Sequence, residues 1–211
     1  MKLFGLAIDF LSWTYMIGII FIIAYLIGSI PTGYIVVKVA KNEDIRKIDS
    51  GSTGATNVKR VMGKKWFFIV LLLDAIKGII PVLLAKWLVI PYSNIGLAPV
   101  IAAMFAILGH SKSIFLNFTG GKSVASGVGT IIALSWNGGL LIAAIWALIT
   151  YVSKYVSLGS IIALALSPFI MYLFNQPVCY IIYCAVGAIY IIYLHRENIK
   201  RLIKGEENKV R

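Results

Sequence analysis

Seven runs of apolar residues, several of them close to the roughly 20 residues that a helix needs to cross a bilayer, leave this chain few folds to choose from. They fall near 14–38, 66–88, 95–110, 123–136, 138–153, 157–174 and 177–195. Inside hydrocarbon each backbone N–H and C=O must find a partner within the protein, and a helix supplies one within its own segment. The expected fold is therefore all-α, a polytopic integral membrane helical bundle of seven transmembrane helices. Hydrophobic residues make up 60% of the 211 and charged residues 13%, more apolar surface than one water-soluble core of this length needs. The run 123–136 is short and contains glycine, and Asn137, Gly138 and Gly139 leave room only for a tight turn before the next run, so five or six crossings is the alternative count. The first run starts near Trp13 and has no small-residue cleavage pattern after a short core, so it reads as a retained span. No linker, low-complexity stretch or repeat divides the sequence, and residues 1–211 are expected to form a single transmembrane domain.

The formal net charge is +12, which raises nucleic acid as a partner. The basic residues, however, sit in short segments between apolar runs, where membrane orientation accounts for them. Of the 20 Lys and Arg residues, eight lie in the segment 38–65, two in the loop 112–122, one at Lys154 and six from Arg196 onward. Seven spans put all of these on one side. Only Lys2 and Lys86 face the other, with Lys77 inside a span. The bias places the N-terminus outside and the C-terminus in the cytoplasm. Cys179 and Cys184 share one apolar run without metal-ligand or disulfide-framework spacing and read as packing residues. No metal or cofactor is expected.

Three polar segments on the expected cytoplasmic side carry the candidate chemistry. The first runs from Arg46 to Arg60 and includes Ser50, Gly51, Ser52, Gly54, Thr56 and Asn57. Its small residues let N–H groups approach an oxyanion, and Arg60 offers a planar two-pronged partner for phosphate. A flexible glycine-rich loop whose cations meet lipid headgroups is the alternative. The second is Gly120-Gly121-Lys122-Ser123 before an expected helix, where free N–H groups, the helix dipole and an ammonium favour phosphate; a tight turn with a snorkelling lysine is the alternative. It is not a Walker A loop, since Leu116 stands where that motif needs its first glycine. The third starts at His195, with Asn198 and Arg201 following at helical spacing on one face, and ends with Glu207. A basic amphipathic tail on the membrane surface is its alternative. Asp74 and Lys77 lie i, i+3 inside an apolar run, where an unpaired charge costs about 3 kcal/mol, so they should pair or face a polar cavity. They and His110, at the end of the third run, are read as supporting residues.

Taken in order, Gly-Ser-Ile-Pro-Thr-Gly at 28–33, the Ser50–Arg60 loop, Leu-Asp-Ala-Ile-Lys-Gly at 73–78, Gly109-His110, Gly-Gly-Lys at 120–122 and the His195–Glu207 segment resemble the PlsY family. These are the bacterial acyl-phosphate:glycerol-3-phosphate acyltransferases. The resemblance implies seven spans with three motifs on the cytoplasmic face of the inner membrane, and transfer of a fatty acyl group from acyl phosphate to the sn-1 hydroxyl of glycerol 3-phosphate. The products would be lysophosphatidic acid and inorganic phosphate, in phospholipid biosynthesis. It carries the essential serine and arginine of the first motif onto Ser50 and Arg60, the lysine of the second onto Lys122, and the histidine, asparagine and glutamate of the third onto His195, Asn198 and Glu207. A further serine falls on Ser160, or on Ser157. The chain departs from the family pattern at Asp49, where glycine is usual, at Ser52, at Ser123 in place of a glycine, and at Ser113 in place of a proline. A carboxylate at Asp49 repels a phosphate unless Arg46, Lys47 or Arg60 neutralises it.

Rival classes fit less well. A transporter of phosphorylated polyols should carry repeats and midplane polar residues, and a CDP-alcohol phosphotransferase needs an array of aspartates, whereas only Asp74 lies within a span. The acyl-CoA-dependent glycerolipid acyltransferases use a His-x4-Asp spacing, and here Phe115 and Lys200 stand four residues beyond a histidine's next neighbour. A noncatalytic membrane protein that binds acidic lipid is the remaining alternative. The expected partners are acyl phosphate, glycerol 3-phosphate and membrane lipids, without nucleic acid; the sequence sets no oligomeric state.

Overall fold

The computed structural model describes residue 15, residues 18–89 and residues 96–210. The beginning of the first predicted span, the start of the third at 95, Lys2 and Arg211 lie outside these residues. Among those described, the regular structure is helical apart from one isolated bridge between Ser113 and Thr119.

The first span is residues 18–41, helical over 18–29 (α1) and again over Thr32–Lys41 (α2). Pro31 has no N–H to continue α1 and stands at the N-cap of α2. A loop then leads to α3 (Ala55–Met62), which stops at Gly63 with a positive φ of 91°, and α4 (Lys64–Val89) follows at once. After it come α5 (Leu97–Ser111), α6 (Val124–Leu134), α7 (Trp136–Ser153), α8 (Val156–Leu173), α9 (Val178–Leu194) and α10 (Arg196–Lys204). Every predicted apolar run is mainly helical over its described residues, with Ile30 and Pro31 interrupting the first and Ser135 ending the helix of the fourth. Among the described residues, four helical stretches suffice by length and apolar character to cross a membrane, namely 18–41, α4, α7 and α8. A fifth path is α9 with α10, which bend from each other by 61°. With 15 and 11 residues, α5 and α6 are shorter. At 1.5 Å per residue α6 reaches about 16 Å, half the hydrocarbon thickness.

The turn expected at Asn137–Gly139 lies instead at Ser135, and those three residues open α7. Gly139 packs so closely on the backbone of Ile132 that a Cβ would overlap it, which lets α7 fold back directly along α6. The carbonyls that end α6 are capped by Lys86, whose Nζ donates to Ala133 O at 2.7 Å and Leu134 O at 2.9 Å.

Polarity is distributed inside out. Ile189 (71% exposed), Leu148 (64%) and Leu72 (61%) face outward, while Asp74, Lys77, Ser126 and Thr130 are buried. Such an exterior suits lipid and not water. Between helices there is no hydrophobic gain over lipid, so close backbone contact holds them together. On α4 and α6 the contact is reciprocal: a Cβ on Gly78 would meet the Ser126 backbone, and one on Gly129 the Ala75 backbone. Gly28 and Gly109 hold α1 against α5 in the same way. Gly78→Ala and Gly129→Ala are each expected to cost about 1–3 kcal/mol by overpacking. Thermal unfolding in detergent checks this, with Gly187→Ala as a neutral control because its Cβ would meet only the tip of Ile107 at 4.0 Å.

Candidate active site

A cavity of about 110 Å³ lies where the loop before α3, the first turns of α4, the loop before α6, the α7–α8 end and α10 converge. The first loop is shaped by one amide. Asn57 Nδ2 donates to Ile45 O (3.3 Å), Ile48 O (3.1 Å) and Ser52 O (2.9 Å), so this side chain works as the loop's clamp. The clamp leaves Ser50, Ser52, Gly54 and Thr56 on the cavity wall together with Asn57 and Arg60. Gly54, Ala55 and Thr56 are also the N-terminal end of α3, where N–H groups lack intrahelical acceptors and favour an anion. Gly51 is not on the wall; it takes a positive φ of 66° and turns the loop behind Ser50.

The second loop serves Lys122. Gly121 N donates to His110 O at 3.1 Å, and a Cβ on Gly120 or Gly121 would overlap the His110 carbonyl or ring. Both glycines therefore lie behind the cavity against α5, and only Lys122 and Ser123 of this motif line it. Lys122 Nζ donates to Asn198 Oδ1. Burial holds its ammonium down to about pKa 8, with Arg201 and Arg60 pushing in the same direction and Glu207 against it.

The third wall is organised by Glu207. Its Oε1 accepts from Asn198 Nδ2 (2.6 Å) and Ser157 Oγ (2.8 Å), and its Oε2 from Arg201 Nε (2.7 Å). Burial pushes this carboxyl up, and the three donors outweigh burial and hold it below the usual range. The segment carrying Glu207 is pinned by Val210 N, which donates to Lys154 O at 2.8 Å. His195 sits at the α9–α10 elbow with Nδ1 at 2.8 Å from Ile191 O. A carbonyl only accepts, so Nδ1 carries the proton, and in the neutral ring Nε2 is an acceptor for the cavity.

The floor is the buried polar cluster. Asp74 pairs with Lys77 at 2.8 Å, accepts from Thr32 Oγ1 and lies 3.6 Å from His110 Nδ1, which also meets Ser126 Oγ at 3.0 Å. Asp74 and His110 line the cavity, whereas Lys77 turns away and donates to Ile30 O at 2.7 Å. Phe67, Leu71, Val124, Trp146 and Val156 form an apolar side beside these polar groups. Ser160 lines it too, but its hydroxyl donates to Val156 O and accepts from Trp146 Nε1. Ser157 is the serine that reaches Glu207.

Arg201, Trp146 and Asn208 line the cavity without having been assigned to it from the sequence, and Ser157 stood there only as the alternative to Ser160. Arg201 had a signal, its spacing from Asn198. The departures from the family pattern also acquire reasons. Asp49 and Ser123 take positive φ, 49° and 59°, where glycine is the usual solution. Ser123 Oγ donates to Ile107 O at 2.7 Å and Ser113 Oγ to Ser29 O at 2.6 Å. Ser52 Oγ accepts from Gly54 N at 3.3 Å, and Asp49 Oδ2 accepts from Arg60 Nη1 at 2.8 Å.

Comparison with known proteins agrees with this geometry. The model of the Glycerol-3-phosphate acyltransferase family matches residues 18–205. A glycerol-3-phosphate acyltransferase of a Nostoc strain is 43% identical, covering 94% of this chain and 93% of the relative. One of a Prochlorococcus marinus strain is 45% identical, covering 91% and 96%. Crystal structures of PlsY, described as an integral membrane glycerol 3-phosphate acyltransferase, superpose with TM-scores of 0.86 for a glycerol 3-phosphate form and 0.83 for a lysophosphatidic acid form. Their identities to this chain are 36% and 35%, and each covers 93% of this chain and 96% of its own. With likeness of this extent in both sequence and fold, the chain belongs to the glycerol-3-phosphate acyltransferase family and is a multi-pass membrane protein.

Proposed function

We propose that this chain transfers a fatty acyl group from acyl phosphate to the sn-1 hydroxyl of glycerol 3-phosphate, giving lysophosphatidic acid and inorganic phosphate for phospholipid synthesis. The observation that carries the reading is the joining, in one cavity, of Arg60, Lys122, Ser50, His195 and Asn198 with an apolar side. The solved relatives with glycerol 3-phosphate and lysophosphatidic acid support the same acceptor and product.

An acyl phosphate is a mixed anhydride whose carbonyl is already activated, so placement and charge stabilisation do most of the work. Arg60, Lys122 and the N–H groups at the start of α3 hold the two phosphates. Ser50, Asn198 and His195 set the glycerol hydroxyl near the carbonyl carbon, with Asp74, Lys77 and His110 supporting from the floor. The hydroxyl oxygen bonds to that carbon, and the bond from carbon to the phosphate oxygen breaks with its electron pair leaving on phosphate. The hydroxyl proton goes to His195 Nε2 or to an oxygen of the departing phosphate. Glu207 keeps Asn198 oriented, and through it Lys122. The acyl tail runs along Phe67, Leu71 and Trp146 toward lipid.

The arrangement in the membrane belongs to the same proposal. The chain is one domain of seven spans in the bacterial inner membrane, with the N-terminus outside and the site facing the cytoplasm. The positive-inside bias supports this. In a background without Cys179 and Cys184, an impermeant thiol reagent added outside intact cells should modify Asn137→Cys and spare Lys154→Cys; the opposite pattern would invert the topology.

Phosphate release by purified protein from palmitoyl phosphate should depend on glycerol 3-phosphate and fall about a hundredfold or more in Arg60→Ala and Lys122→Ala. No release from folded protein across several chain lengths would sink the reading. In the same assay His195→Gln separates the two proton routes, since full activity in that variant leaves only the phosphate oxygen.

Lys122 also sets a pH dependence. Its ammonium is present below about pH 8 and lost above, so kcat/KM should fall on the alkaline side of about 8. Because Glu207 favours the charged lysine, Glu207→Gln should move that limb to lower pH, and Lys122→Arg should remove it. A pH profile of kcat/KM for the three proteins is the check.

A further inference from the structure

Two arginines reach this cavity, and each is held by a carboxylate in a different way. Glu207 takes three donors, its side chain is 5% exposed, and it is part of the wall. Asp49 takes one, Arg60 Nη1, and lies outside the wall, with the two side chains 35% and 29% exposed. Arg60 keeps its other nitrogens for a ligand. The backbone that carries this carboxylate is held in place. Asp49 sits at φ 49°, after Ile48, whose carbonyl accepts from Asn57 Nδ2 and Gly51 N, and before Ser50 of the wall. Asp44, another acid of this loop, is committed to Arg46 through both of its oxygens.

We propose that Asp49 sets how tightly the cavity holds a phosphate group, by engaging one nitrogen of Arg60 and neutralising part of the charge that this arginine offers to an anion. Asp49 is thus a positioning residue that acts through Arg60, and the inference rests on the phosphate-binding role given to Arg60 above. Both reactants and the released inorganic phosphate are anions. A site with Arg60, Lys122 and Arg201 and too little counter-charge would hold its product. Asp49 lowers that affinity and favours release.

The test reads binding first, because binding needs no turnover. The full chain in detergent is heated with rising inorganic phosphate or glycerol 3-phosphate, at low and high ionic strength, and the half-saturating concentration is taken from the rise in Tm. Asp49→Asn keeps the shape and the tolerance for positive φ while removing the charge, and should lower that concentration about two- to fivefold, as expected for a half-exposed pair. High salt should narrow the gap. In an Arg60→Gln background the same substitution should do nothing. The KM for glycerol 3-phosphate should fall in the same proportion, by more than kcat changes. An unchanged or weaker phosphate affinity in Asp49→Asn overturns the proposal, as does an equal gain with Arg60→Gln. If the asparagine variant does not fold, Asp49→Gly decides in its place, since glycine takes this φ without strain. Phosphate binding with this pattern but no acyl transfer would keep the inference and defeat the transferase reading; turnover insensitive to Asp49 would do the reverse.

Discussion

The ion pair between Asp74 and Lys77 is the contact on which the arrangement of the bundle turns. A lone charge at this depth is expensive, and removing one partner of a buried pair usually costs several kcal/mol. Here the remaining valences of both partners are spent on other helices. Lys77 satisfies the Ile30 carbonyl next to the Pro31 break, and Asp74 takes the Thr32 hydroxyl just beyond it. On its other side Asp74 faces His110, the platform for Gly121 and Ser126. One pair thereby fixes the two halves of the first span, α4, α5 and α6 against each other, and with them the loop that presents Lys122.

Upon this floor the cavity balances three cations with carboxylates placed at different depths. Burial disfavours the charge on Lys122, and Glu207 resists that from two steps away through Asn198. The apolar side carries no such constraint and can be open to lipid, a division of surface suited to a donor that is half lipid and half anion.

Much of this was legible in the sequence. Apolar length gave the helices of the seven runs, because in a membrane the backbone has few alternatives to one, whereas α3 lies in a segment whose glycines read as a loop. Glycine at 120 and 121 next to a lysine was a real signal, but it spoke of His110 packed behind the loop and not of a phosphate in front of it. Asn57 likewise looked like a ligand group, and its amide is spent on three carbonyls of its own loop. Trp146 and the contact of Ser157 with Glu207 were hidden for a different reason. Their roles depend on how α7 and α8 are rotated, and in helices apolar almost all round the sequence carries little record of which face looks inward. The turn at Ser135 was misplaced because glycines usually mark turns, whereas Gly139 here marks a close helix crossing.

The stretch from His195 to Val210 is fastened at both ends, by the elbow where His195 N meets Ile191 O and Ile192 O and by the bond from Val210 N to Lys154 O. Between these anchors it delivers Asn198, Arg201 and Glu207 to the wall, while Lys200 and Ile203 look outward. One residue added to or lost from α10 would turn everything after it by about 100°. The outer face can drift in sequence, but the length of this stretch cannot change a residue at a time, so its spacing is a more durable record of ancestry than most of the letters that fill it.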